Sequence, residues 1–88
     1  MSNLIDTVRD IEKWIFDNGL ETKSPNATVK KIAETLDGIE LAADTDRFCA
    51  ALVIGGAAFL LITLAEQYGV SFKAALNMAF NNMKDQKL

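Results

Sequence analysis

Along the 88-residue chain, apolar positions recur at helical spacing in three segments and merge into an unbroken run in a fourth. Leu4, Ile5, Val8, Ile11, Trp14 and Ile15 return every three or four residues. Asp6, Arg9, Asp10, Glu12, Lys13 and Asp17 fall mostly on the other side. That periodicity predicts a first helix from Ser2 or Asn3 to Asn18. Asn18-Gly19 is its stop, because glycine takes the left-handed conformation after a last turn without a Cβ clash. Leu20 to Lys23 is a short connection. Ser24 then caps free amides and Pro25 fills the first helical position, where no N–H is needed, so a second helix starts there. Its apolar stripe is Val29, Ile32, Ala33, Leu36, Ile39 and Ala43, with Lys30, Lys31, Glu34, Asp37 and Glu40 around the remainder. Asp44-Thr45-Asp46 is the next cap, and the third helix runs to about Tyr68. Gly69 ends it and Ser71 caps a fourth helix. Phe72, Ala75, Leu76, Ala79, Phe80 and Met83 are the expected buried face of that helix, with Asn77, Asn81, Lys84 and Asp85 outward. No segment alternates with a period of two. The fold class is therefore all-α, a four-helix bundle in a single domain spanning 1–88.

The third helix poses the main question, because its 18 residues from Phe48 to Ala65 carry no charge. That length reaches the lower limit for crossing a bilayer. Against a span, neither flank has a basic cluster or an aromatic belt, and Asp46 and Glu66 sit at the two ends. The other three helices each carry a one-sided stripe that needs cover, and a helix apolar all round is what they would cover. A soluble bundle is the expectation and a small single-span membrane protein the alternative. Gly55 and Gly56 each cost about 1 kcal/mol relative to alanine in mid-helix. They need a reason: close helix packing, within one chain or between copies, or space left for a ligand. Gly55, Gly56, Ala51 and Phe59 are accordingly the candidate packing positions of the core or of an oligomer. Cys49, the single cysteine, is expected to behave as a small buried hydrophobe, and no intramolecular disulfide can form.

Composition sharpens this picture in three ways. Half the residues are hydrophobic, which a small domain cannot hide by itself, so a homo-oligomer (dimer or tetramer) is expected. A net charge of −3 and the lack of a basic cluster argue against nucleic acid as partner. There is no histidine, which removes the commonest general base and the usual zinc ligand. The N-terminal segment is charged and amphipathic rather than an apolar leader, from which a cytoplasmic setting is expected.

The order of features carries a resemblance. A tryptophan-bearing first helix ends in Gly19, Lys23-Ser24-Pro25 follows, and KKIAETLDGIELA runs along the second helix. The third ends ITLAEQYGVSFKAAL and the chain closes with AFNNMKDQK. Over nearly its whole length the chain resembles the MazG-like all-α nucleotide pyrophosphohydrolases, a layout shared with phosphoribosyl-ATP pyrophosphohydrolase. The resemblance implies cleavage of a nucleoside triphosphate to monophosphate and pyrophosphate, with Mg²⁺ held by Glu-Glu-x-x-Glu on the second helix and Glu-x-x-Asp on the third. It also implies paired subunits that build each core and site together, and a compact phage-encoded member acting in a host cytoplasm.

Residue by residue, the ligand set is mostly missing. Glu34 matches the first glutamate, whereas the other four positions fall on Thr35, Gly38, Val53 and Gly56. Sliding the register offers Glu34, Asp37 and Glu40, with no partner carboxylate on the third helix. No catalytic residue is assigned, and no cofactor is expected unless Mg²⁺ is held by that rearranged row, with Asp44 or Asp46 from another subunit. Lys30, Lys31 and Lys84 are candidates to meet phosphates, and Trp14 and Phe16 to stack on a base. The expectation is a catalytically degenerate homologue acting by binding, its partner a host protein or an uncleaved nucleotide. An active Mg²⁺-dependent enzyme is the alternative.

Overall fold

The structure is a computed structural model that describes residues 3–41 and 47–86, with the side chains of 38–41 outside the description. Helix α1 spans Leu4–Asp17, α2 Pro25–Leu41, α3 Arg47–Gln67 and α4 Phe72–Gln86, with one 3₁₀ turn at Leu20–Thr22 between α1 and α2. The described residues are helical apart from their connections, so the all-α class stands.

The helix ends form where the local chemistry places them. Asn3 Oδ1 accepts a hydrogen bond from the Asp6 amide at 2.9 Å, fixing the start of α1. Ser71 Oγ does the same for the Ala74 amide at 3.2 Å, and the Asn26 amide reaches Ser24 Oγ at 3.3 Å before α2. Gly19 and Gly69 both sit at φ +69°, the left-handed region where any other L residue strains the backbone. The cap expected at Asp44-Thr45-Asp46, together with Ala43 and the side chains of Ile39 and Glu40, lies outside the described residues.

α3 is the hub. α1, α2, the 3₁₀ turn and α4 each pack on it, and α2 does so most extensively. Residues from the start of α2 (Ala27, Thr28, Lys31) share a cleft with residues near the end of α3 (Leu60, Thr63, Gln67), so these two helices run antiparallel. Along α3, Ala50, Val53, Ala57, Leu60 and Leu64 are buried or half-buried at spacings of three and four. That seam is the one a neighbouring helix reads. Ile15 of α1 is fully buried, and Ile62, Thr63 and Ala65 close the C-terminal half of α3.

The cover is thinner than the sequence pattern predicts, and several expected core positions lie outside. On α4 only Phe72 is half-buried; Ala75, Leu76, Ala79, Phe80 and Met83 are exposed. Among the described residues that helix packs closely on α3 and shares only an open cleft with the first half of α1, so most of its apolar face stays uncovered. On α2 the less exposed side is Pro25, Thr28, Ile32 and Thr35, while Val29 (49% exposed), Ala33 and Leu36 (50%) face solvent. The apolar arc of α2 is wider than one helix contact, and α3 takes the Thr28 edge of it. Leu4, Ile5 and Trp14 of α1 are likewise exposed.

The largest departure is α3 itself. Its first half is open on the side away from the seam, with Phe48 71% and Leu52 62% exposed and Ala51, Gly55 and Ala58 exposed on the same side. Cys49 lies on this open half and is exposed, contrary to the expectation of a buried thiol. α3 is long and apolar enough to cross a membrane, with a mean hydropathy of 2.4.

Candidate functional site

The α2–α3 pair is where the implied metal carboxylates would converge. Glu34 and Asp37 are both exposed on α2. The Thr35 hydroxyl donates to the Lys31 carbonyl at 2.8 Å, turned back on its own helix. Across the seam, Val53 and Gly56 offer no side-chain oxygen. Among the described residues, no group of three acidic, histidine or cysteine side chains gathers closely enough to hold a metal ion. A hard divalent cation needs several converging oxygens, and the described residues alone do not supply them here; the side chain of Glu40, and Asp44 and Asp46, lie outside the described residues.

The same seam offers a different kind of site at its other end. Leu20, Lys23, Ser24, Ala27, Thr28 and Lys31 meet Leu60, Thr63 and Gln67 around an open cleft of about 330 Å³. Its walls are mainly aliphatic, and Lys23, just before α2, and Lys31, in the second turn of α2, are among the residues that line it. Lys31, a candidate from the sequence, is therefore joined by Lys23 and Ser24. The helix dipole adds positive potential at that end.

The other candidates lie elsewhere. Trp14 packs edge-on against Phe59 with ring centroids 5.6 Å apart, beside Thr7, Asp10 and Ile11 in a shallow hollow. Phe59 thus serves as a packing residue between α1 and α3. Phe16 is exposed on α1. The Lys84 ammonium stands 5.5 Å from the ring centre of Phe80 on its own helix α4. Among the described residues, a Cβ built at Gly55 or Gly56 would have no neighbour within 4 Å.

One cluster escaped the sequence reading. Glu66 of α3 meets Glu12 of α1 and lies near Glu21 of the 3₁₀ turn. Burial, then the charge and hydrogen bond of Glu12 and the charge of Glu21, raise the Glu66 carboxyl above the ordinary glutamate range. Close by, Gln67 Nε2 donates to the Leu20 carbonyl at 3.2 Å, while Gln67 Oε1 and Glu21 Oε2 are buried without a hydrogen-bond partner. A signal was present, because Glu12 stands between Val8 and Ile15 at the stripe spacing of α1.

Glu66 sets a pH dependence. Its folded pKa lies above the unfolded one, so the folded state holds more protons between the two and loses stability as pH rises through that window. Glu66→Gln is expected to be more stable than the parent at pH 7, by less than about 1 kcal/mol for this partly solvated group, and to match it at pH 4. Thermal melts of both proteins at the two pH values check this.

Compared with known proteins, the chain matches no family model, no curated protein and no solved structure.

Proposed function

We propose that this chain is a nucleotide-holding protein that binds without cleaving, built as a homo-oligomer on a scaffold that resembles the MazG-like pyrophosphohydrolases. The cleft between the 3₁₀ turn, α2 and α3 carries the reading. Lys23, Lys31 and the α2 N-terminus suit phosphate oxygens, while Leu20, Ala27 and Leu60 suit the flat apolar part of a base. Among the described residues, no carboxylate lines this cleft. A metal-bridged attack of water on a phosphoanhydride needs such groups to hold the cation. Binding therefore survives in the chemistry present, and hydrolysis does not.

Isothermal titration with nucleoside tri- and monophosphates, with and without Mg²⁺, tests this when product formation is followed in the same samples. The reading predicts binding indifferent to Mg²⁺, no pyrophosphate release, and at least about tenfold weaker binding by Lys31→Ala, in line with the loss of one charge-assisted contact. Turnover would overturn it in favour of an unorthodox metal site. Absence of binding would leave a protein-interaction module, with a host protein as the partner to seek.

A further inference from the structure

The hollows on this molecule differ in what lines them. Between α3 and α4 the lining is apolar and uncharged apart from the Tyr68 hydroxyl, and beside Trp14 the charged group is Asp10. The cleft between the first half of α1 and the start of α4 differs from both, because it joins apolar walls from two helices to a cation from each. Leu4, Ile5 and Val8 of α1 share about 230 Å³ of space with Phe72 and Leu76 of α4. The two stripes do not close on each other: among the described residues α1 packs on α3 and the 3₁₀ turn, and α4 packs on α3. A gap walled on both sides by apolar side chains holds water poorly, so an apolar occupant gains by entering it.

Shape and charge narrow the occupant. Each wall runs a little over one helical turn, about 6 Å, and the space is below the roughly 300–1,000 Å³ of a pocket for a drug-sized ligand. That suits one unbranched aliphatic chain and not the paired chains of a membrane lipid. Arg9 and Lys73 stand in the same lining, and neither is ion-paired among the described residues, where the pair formed is Lys13 with Asp17. Glu12, the carboxylate of the lining, is hydrogen-bonded with Glu66 of α3, so the cations are in excess. A guanidinium fork matches the two oxygens of a carboxylate, and an ammonium adds a second charge-assisted contact. We propose that the α1–α4 cleft binds a free single-chain fatty acid, its tail between the two apolar stripes and its carboxylate against Arg9 and Lys73. The site is separate from the α2–α3 cleft and does not depend on the nucleotide reading.

Calorimetric titration of the parent with hexanoate, octanoate and decanoate tests this, each below its micelle concentration and at neutral pH, where the head is ionised. ¹H–¹⁵N spectra of the same samples locate the ligand. Binding is expected to tighten with chain length, by up to about fourfold per CH₂, the fold equivalent of one buried methylene. Decanol, with the same tail and no charge, is expected to bind at least about tenfold more weakly than decanoate. The shifted amides are expected within 4–12 and 71–76. Arg9→Gln is expected to weaken decanoate at least about tenfold and leave decanol unchanged, a split that a merely structural role would not give. Leu76→Asp is expected to weaken both. Both side chains are exposed, so the variants are expected to keep the parent's helical circular dichroism. If either loses it, the decanol comparison and the amide map of the parent decide alone. Absence of binding, or equal affinity for decanoate and decanol, would overturn the proposal. Shifts confined to 20–31 would do the same by placing the chain in the α2–α3 cleft, as would binding seen only above the micelle concentration. Shifts at 4–12 and 71–76 on concentrating the protein without any carboxylate would show a second copy in the cleft and overturn it too.

Discussion

Ile15→Ala is expected to lose about 2–5 kcal/mol of folding stability, the usual cost of emptying a buried aliphatic site. Ile15 is the only large side chain wholly hidden within the described residues. It locks α1 onto a hub that has little other cover. The deletion removes transfer free energy and leaves a void between helices already held apart by short connections. For a domain of this size that is a large share of the total, since native stability is typically about 5–15 kcal/mol. Chemical unfolding followed by circular dichroism measures it. Ile5→Ala, at a half-exposed position of the same helix, is the control and is expected to change stability by less than about 1 kcal/mol. Equal losses at the two sites would mean that Ile15 is not the anchor of α1.

Gly56→Asp restores one of the metal-ligand positions implied by the resemblance, and it separates catalysis from packing. Gly56 is half-buried on α3, between the seam that α2 covers and the open face. Among the described residues, no acidic group gathers with which a carboxylate there would share a metal. Closing a second copy over this helix would desolvate the charge, which costs several kcal/mol when no partner is supplied. The expected result is weaker assembly, by about 2 kcal/mol or more, with no gain of pyrophosphate release in Mg²⁺. Sedimentation and a pyrophosphate assay on the same preparation check both halves. Hydrolysis gained in the variant would mean that the α2–α3 seam still holds a usable metal geometry.

The sequence spoke clearly wherever the determining physics acts within a turn of helix. Asn3, Ser24 and Ser71 cap by reaching amides two or three residues away, and Gly19 and Gly69 adopt the one conformation other residues resist. Which side of each helix is covered was less legible. Periodicity marks an apolar arc, but only a neighbour decides how much of the arc is used. α2 therefore presents Thr28 and Ile32 inward and leaves Val29 and Leu36 in solvent, and α4 buries little beyond the edge of Phe72.

The candidate site divides in the same way. The scarcity of metal ligands could be read position by position, because a missing carboxylate is a local fact. That Lys31 would be joined by Lys23 around Leu60 and Gln67 depends on the antiparallel packing of α2 on α3, and no spacing rule conveys it. The meeting of Glu12 with Glu66 depends on α1 crossing α3 far along the chain, and was equally hidden. The paired glycines stand on the open side of α3 without a described neighbour, and the proposed homo-oligomer would supply one from a second copy.

The concentration dependence of thermal unfolding tests that claim most directly. A chain whose hub helix is covered by a second copy unfolds and dissociates together, so its Tm rises with protein concentration by mass action. Melting the parent protein over a hundredfold range of concentration is expected to raise Tm steadily, and to give Gly55→Leu a lower, flat Tm. A parent Tm that does not move across that range, in a protein that remains soluble, would contradict the account.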